Sequence, residues 1–143
     1  MPSAWVFLSE AKQKAWQKKI DLDNDSLKIA LVLSTSNIAS DMSPSGYADL
    51  THEVAAGNGY STGGEAVPSQ TLTGGSFVNF EIDDVVFTPS GGNIVARTAV
   101  LYDDSATDKD ILAFALLDPA NIDVTIVNGA PLTLQGGSVF FEF

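Results

Sequence analysis

The feature that most constrains this chain is a change of period near residue 27. From there Leu27, Ile29, Leu31 and Leu33 alternate with Lys28, Ala30, Val32 and Ser34, the pattern of a strand with one well-buried face. Before it, Ala4, Leu8, Ala11, Ala15 and Trp16 recur at spacings of three, four and seven without an intervening Gly or Pro. That spacing predicts an amphipathic helix over 4–19, with Ser3 as N-cap and lysines at the end where the helix dipole favours positive charge. One short helical stretch followed by period-two sequence predicts a mainly β protein. The expected architecture is an antiparallel β-sandwich or barrel-like single domain spanning 1–143, with a helical N-terminal segment at 1–20.

The downstream strands are bounded by turn chemistry. Runs at 77–82 and 85–88 end at Pro89-Ser90-Gly91-Gly92-Asn93, and a long run at 94–102 closes at Asp103-Asp104. The stretch 111–117 is nearly continuous in apolar residues, as expected of a central strand covered on both faces. Runs at 124–127 and 131–134 flank Asn128-Gly129, a strong signal for a type I′ hairpin, and 139–143 closes the chain as a strand. Against this, 35–76 is rich in Gly, Ser and Thr, with seven glycines. It reads as a long loop region with at most short strands, of the kind that is usually functional or ordered by a partner.

Candidate chemistry fails test by test. The chain has no cysteine and one histidine, which excludes disulfides, thiolate metal sites and cysteine catalysis and leaves little for acid–base work. Asp21, Asp23 and Asp25 suggest a calcium loop, but the glycine and the bidentate glutamate it needs are replaced by Ser26 and Val32. The triplet reads instead as a connector with local turn hydrogen bonds, and Asp103, Asp104, Asp108 and Asp110 read as a second solvated acidic turn. No serine elbow accompanies His52, no phosphate-binding loop is present, and Gly57-Asn58-Gly59 lacks the context of a dinucleotide fingerprint. The expectation is no enzyme, no cofactor and no tightly held metal.

Charge adds a direction. The net charge is -11, yet residues 1–19 hold Lys12, Lys14, Lys18 and Lys19 against Glu10, whereas 20–143 hold 17 acids against Lys28, Arg97 and Lys109. So acidic a body disfavours nucleic acid as a partner. No run approaches the ~20 apolar residues of a membrane span, and the order of apolar and basic residues at the start is not that of a signal peptide.

Three stretches carry a resemblance. They are Ile20-Asp21-Leu22-Asp23-Asn24-Asp25-Ser26-Leu27-Lys28-Ile29-Ala30-Leu31 after a short helix, Gly57-Asn58-Gly59-Tyr60-Ser61-Thr62-Gly63-Gly64, and Ala99-Val100-Leu101-Tyr102-Asp103-Asp104. In that order and spacing the chain, over roughly 5–115, resembles small structural virion proteins of tailed bacteriophages, some of them capsid decoration (cement) proteins. The resemblance does not extend to 35–50 or 118–143. It implies a protein made in the host bacterial cytoplasm and carried on the phage head surface. There it would bind the major capsid protein and stabilise contacts between capsomers, most simply as a homotrimer on a threefold axis. The alternative within the same virion is a tail or fibre component involved in host attachment. Trp5, Phe7, Trp16, Tyr47 and Tyr60, the aromatic residues of the N-terminal segment and the glycine-rich region, are the expected partner or oligomer contacts.

Overall fold

A computed structural model describes residues 5–40, 46–75, 79–135 and 138–140. The protein is mainly β, with antiparallel pairing throughout the described sheets. The elements run β1 (Val6–Phe7), α1 (Ser9–Trp16), β2 (Leu27–Val32), the single turn α2 (Asn37–Ser40), a 3₁₀ turn (Tyr47–Asp49), β3 (Glu65–Ala66), β4 (Gln70–Thr73), β5 (Asn79–Ile82), β6 (Val85–Phe87), β7 (Ile94–Ala96), β8 (Thr98–Asp103), β9 (Ile111–Leu116), β10 (Val124–Ile126), β11 (Leu132–Leu134) and β12 (Ser138–Phe140).

A five-stranded sheet in the order β1-β9-β8-β2-β3 forms the spine. Its central strand is β8, in which all six residues are buried. The expectation for 111–117 therefore shifts by one place: β9 lies beside the two-residue edge strand β1, and Phe114 and Leu116 are half-buried. A three-stranded sheet, β12-β5-β4, and two short pairs, β10-β7 and β11-β6, complete the β structure. The sheets do not close into a barrel. One apolar core unites them, from Leu8 and Ala11 through Ile29, Leu31, Phe80, Phe87, Val100 and Leu101 to Ile126 and Leu134.

Three local expectations are corrected. The helix begins at Ser9, because Val6 and Phe7 are extended and pair with Phe114 and Ala113 of β9. The Leu8 N–H continues this ladder to the Leu112 carbonyl at 2.8 Å. Val6 and Phe7 supply hydrogen bonds that the outer side of β9 would otherwise lack, and β geometry suits both residues. Leu8 is the N-cap, with no side-chain capping bond; Ser3 lies outside the described residues. The helix closes at Lys18 (φ 62°), whose N–H reaches the Ala15 carbonyl while that of Lys19 reaches Lys14, a Schellman closure with lysine in the place glycine usually takes.

The run 94–102 is two strands, separated at Arg97, where the chain passes from pairing with β10 to pairing with β2 and β9. Finally, Asn128-Gly129 does not close a hairpin. Its flanking strands pair elsewhere, β10 with β7 and β11 with β6. Ala130 N–H bonds the Val127 carbonyl and only Gly129 of the two central residues has a positive φ (81°), which a type I′ turn does not allow. The turn lies against loop 88–93 instead, through Asn128 N–H to Asn93 Oδ1 at 2.8 Å and Gly129 N–H to the Pro89 carbonyl at 3.1 Å.

Candidate interaction site

The glycine-rich region is the first place to look for a site, and its described part is fastened to the spine. Leu33 N–H bonds the His52 carbonyl and Val54 N–H the Leu31 carbonyl, both at 2.9 Å, so that 52–54 runs alongside the end of β2. This places the Glu53 carboxylate inside a ring of donors. Oε1 accepts from the Tyr47 hydroxyl; Oε2 accepts from the Tyr60 hydroxyl at 2.6 Å and from Gly63 N–H at 2.7 Å. Tyr60 Oη in turn accepts the Leu31 N–H at 3.0 Å, and the Tyr102 hydroxyl donates to the Gly63 carbonyl at 2.7 Å.

Aromatic packing completes the arrangement: Tyr47 stacks on Tyr102 with centroids 4.7 Å apart, and Tyr60 on Phe87 at 6.1 Å. Burial raises the pKa of all three hydroxyls, with the Glu53 charge adding to it; they remain protonated and donate. The fit is close enough to require glycine. Gly64 sits at φ 81°, and a Cβ there would meet the Ile29 carbonyl oxygen at 1.8 Å.

The N-terminal segment is attached differently. Trp5 and Phe7 are half-buried against the core, with Phe7 meeting Phe80 edge-on at 6.4 Å. Ala11 is buried under α1. Lys14 reaches the buried carboxylate of Asp110 and, at 3.4 Å, Glu10 one turn back. Beyond that anchor the side chains are largely exposed: Trp16 is 67% exposed, Gln17, Lys18 and Lys19 are exposed, and Val6 is 44% exposed near the start of the segment, before Ile20 returns to the core.

The five aromatic residues singled out from sequence are thus not one surface. Trp5 precedes β1 and Phe7 lies in it, Trp16 is exposed at the end of α1, Tyr47 is half-buried, and Tyr60, 3% exposed, is an interior residue of the Glu53 arrangement. Glu53 itself carries no sequence signal beyond being an acid between two tyrosines.

The acidic motifs are occupied by the protein's own groups. Asp21 accepts from the N–H groups of Asp23 and Asn24 and from the Asn24 side chain, which with those backbone bonds holds its carboxyl below the usual range. Asp104 is bridged by Lys109 and Lys28, which lower its pKa in the same way. His52 Nδ1 lies 2.9 Å from the Thr35 carbonyl oxygen. Among the described residues no three His, Asp or Glu side chains are grouped to hold a metal ion, and no helix is long and apolar enough to cross a membrane. Comparison with protein-family profiles, curated proteins and solved structures gives no match for this chain.

Proposed function

We propose that this chain is a non-enzymatic structural protein of a tailed-phage virion, a capsid decoration protein that docks on the major capsid protein through the end of its N-terminal helix. The observation that carries this reading is Trp16, 67% exposed beside exposed Lys18 and Lys19 on a body whose remaining charge is strongly acidic. A tryptophan held outward on a folded helix is a large apolar anchor at little entropic cost on binding, and such residues dominate interface energetics. The lysines around it favour an acidic partner surface and make association salt-dependent. The resemblance of three stretches of the sequence to small phage virion proteins suggests the class. The β body, with Asp21 and Asp104 of the acidic turns engaged by the protein's own groups, suits a part that binds rather than reacts. A trimer on a threefold axis of the shell is the assembly this role implies.

The test is binding to heads assembled without the decoration protein. Trp16→Ala together with Lys18→Glu and Lys19→Glu should weaken binding by at least tenfold while leaving the melting temperature unchanged. Undiminished binding by that variant removes the contact face. A particle reconstruction that places the chain on the tail in a handful of copies replaces decoration by the tail assignment.

A further inference from the structure

The connector from α1 to β2 and the turn from β8 to β9 meet along a short seam. Leu27 opposes Asp103 in register, Asp104 N–H donates to the Ser26 carbonyl at 2.9 Å, and Ser26 N–H donates to Ser105 Oγ at 2.7 Å. From the other side Gln70 Nε2 donates to the Asp25 carbonyl at 2.5 Å. Within the seam lies Asp103, fully buried. Its Oδ1 accepts from Ser105 N–H at 3.0 Å and Ala106 N–H at 3.1 Å, whereas its Oδ2 is buried without a donor. The hydrogen bonds of Ser26 across the seam bring Asp25, its neighbour in the chain, up to this carboxyl, and Asp25 accepts the Asp21 N–H on its own Oδ2. Two ionised carboxylates are acceptors only, and in a buried site they cannot face each other unless one of them carries a proton.

We propose that a single proton held between the buried Asp103 carboxyl and Asp25 closes the seam, making it a pH-sensitive clasp at the root of the N-terminal segment. The charged groups nearby do not substitute for it. Asp21 and Asp23 on the connector and Asp104 on the turn are acids, and Lys28 of β2 and Lys109 of the turn are both engaged by Asp104. Asp110, whose carbonyl accepts the Asp103 N–H, gives its carboxylate to Lys14. Burial first, then the hydrogen bond and charge of Asp25, raises the Asp103 carboxyl from 3.8 to about 7.

The sign follows. Between the two values the folded chain holds a proton that the unfolded chain has released, so the stability present below the carboxylate range is lost as pH rises toward 7, and the loss is complete above it. Above that point two negative charges face each other across the seam, and the connector loosens.

Thermal unfolding between pH 5 and pH 9 tests the clasp in the full chain, with Asp103→Asn and Asp25→Asn beside the native protein. An asparagine offers an amide donor in place of the shared proton at every pH. The native protein should lose melting temperature across pH 5 to 7.5, and each variant should lack that part of the slope, with Asp103→Asn melting above the native protein at pH 8. Native slopes retained in both variants overturn the proposal.

Infrared spectra of the native protein keep the test independent of variant folding. A protonated-carboxyl stretch present at pH 6 and gone by pH 8.5 is expected, and its absence at pH 6 overturns the clasp. Millimolar calcium at pH 8.5 should leave the melting temperature unchanged; stoichiometric calcium held at the pair would make this a metal site and overturn the proton.

Discussion

The N-terminal segment and the glycine-rich segment hold most of the aromatic residues expected to make contacts, and they are built on opposite plans. Residues 46–73 contain five glycines, yet they are bound together by one carboxylate with three donors and packed on β8, β6 and β2 by two stacked aromatic pairs and a glycine pressed against a carbonyl. Residues 6–19 contain no glycine and form regular structure, yet they are anchored mainly at Phe7, Leu8, Ala11 and Lys14 and leave their largest side chain two-thirds exposed. Glycine content is therefore a poor guide to adaptability here. In the first segment glycine permits a tighter fit than any other residue would; in the second, regular hydrogen bonding stiffens a helix whose far end is exposed.

Four substitutions test this contrast, and the largest effect is expected at Gly64. Gly64→Ala introduces a Cβ into the Ile29 carbonyl at a positive φ and should cost about 4 kcal/mol or more, read as loss of the folded circular dichroism signal; a loss under about 1 kcal/mol would show that the segment yields. Glu53→Ala leaves the Tyr47 and Tyr60 hydroxyls and Gly63 N–H without their acceptor and should cost about 3 kcal/mol by urea unfolding. An effect within about 0.5 kcal/mol would mean water replaces the carboxylate.

Lys14→Met removes the ammonium from Asp110, which is only 4% exposed, and should cost about 1–3 kcal/mol. Amide exchange should then accelerate in α1 ahead of β2, and uniform acceleration would mean the helix is not a separate unit. Trp16→Ala should change stability by less than about 0.5 kcal/mol. A larger loss in the same unfolding measurement would mean that Trp16 packs on the body in solution and is not a contact residue.

The β character was legible because strand periodicity in 27–33 and the apolar run in 111–117 are local and strong. What escaped was decided at a distance. Val6 and Phe7 lie between the Ala4 and Leu8 of a helical stripe and suit a strand as well, and only the unpaired side of β9 chooses between the two. Asn128-Gly129 has the local preference for a tight hairpin, but β6 and β7 offer each flanking strand a better partner. Glu53 was unreadable as the centre of a site because its donors come from residues 47, 60 and 63, which the backbone brings together only once 52–54 lies on β2. By local sequence Asp103 belongs to a solvated turn; its burial follows from standing opposite Leu27 at the end of the central strand.

The pairing of Val6 with Phe114 also bears on when the molecule becomes whole. A chain leaves the ribosome at about 5–20 residues per second, so the first strand waits on the order of ten seconds for its partner to be made. Until then the spine lacks the edge that β1 supplies, and the outer side of β9 has no ladder. Contacts this far apart in sequence also close slowly, since the loop between them must be ordered before they form. The helix at the end of that strand thus reaches its final place among the last parts of the protein, after the body against which it is displayed.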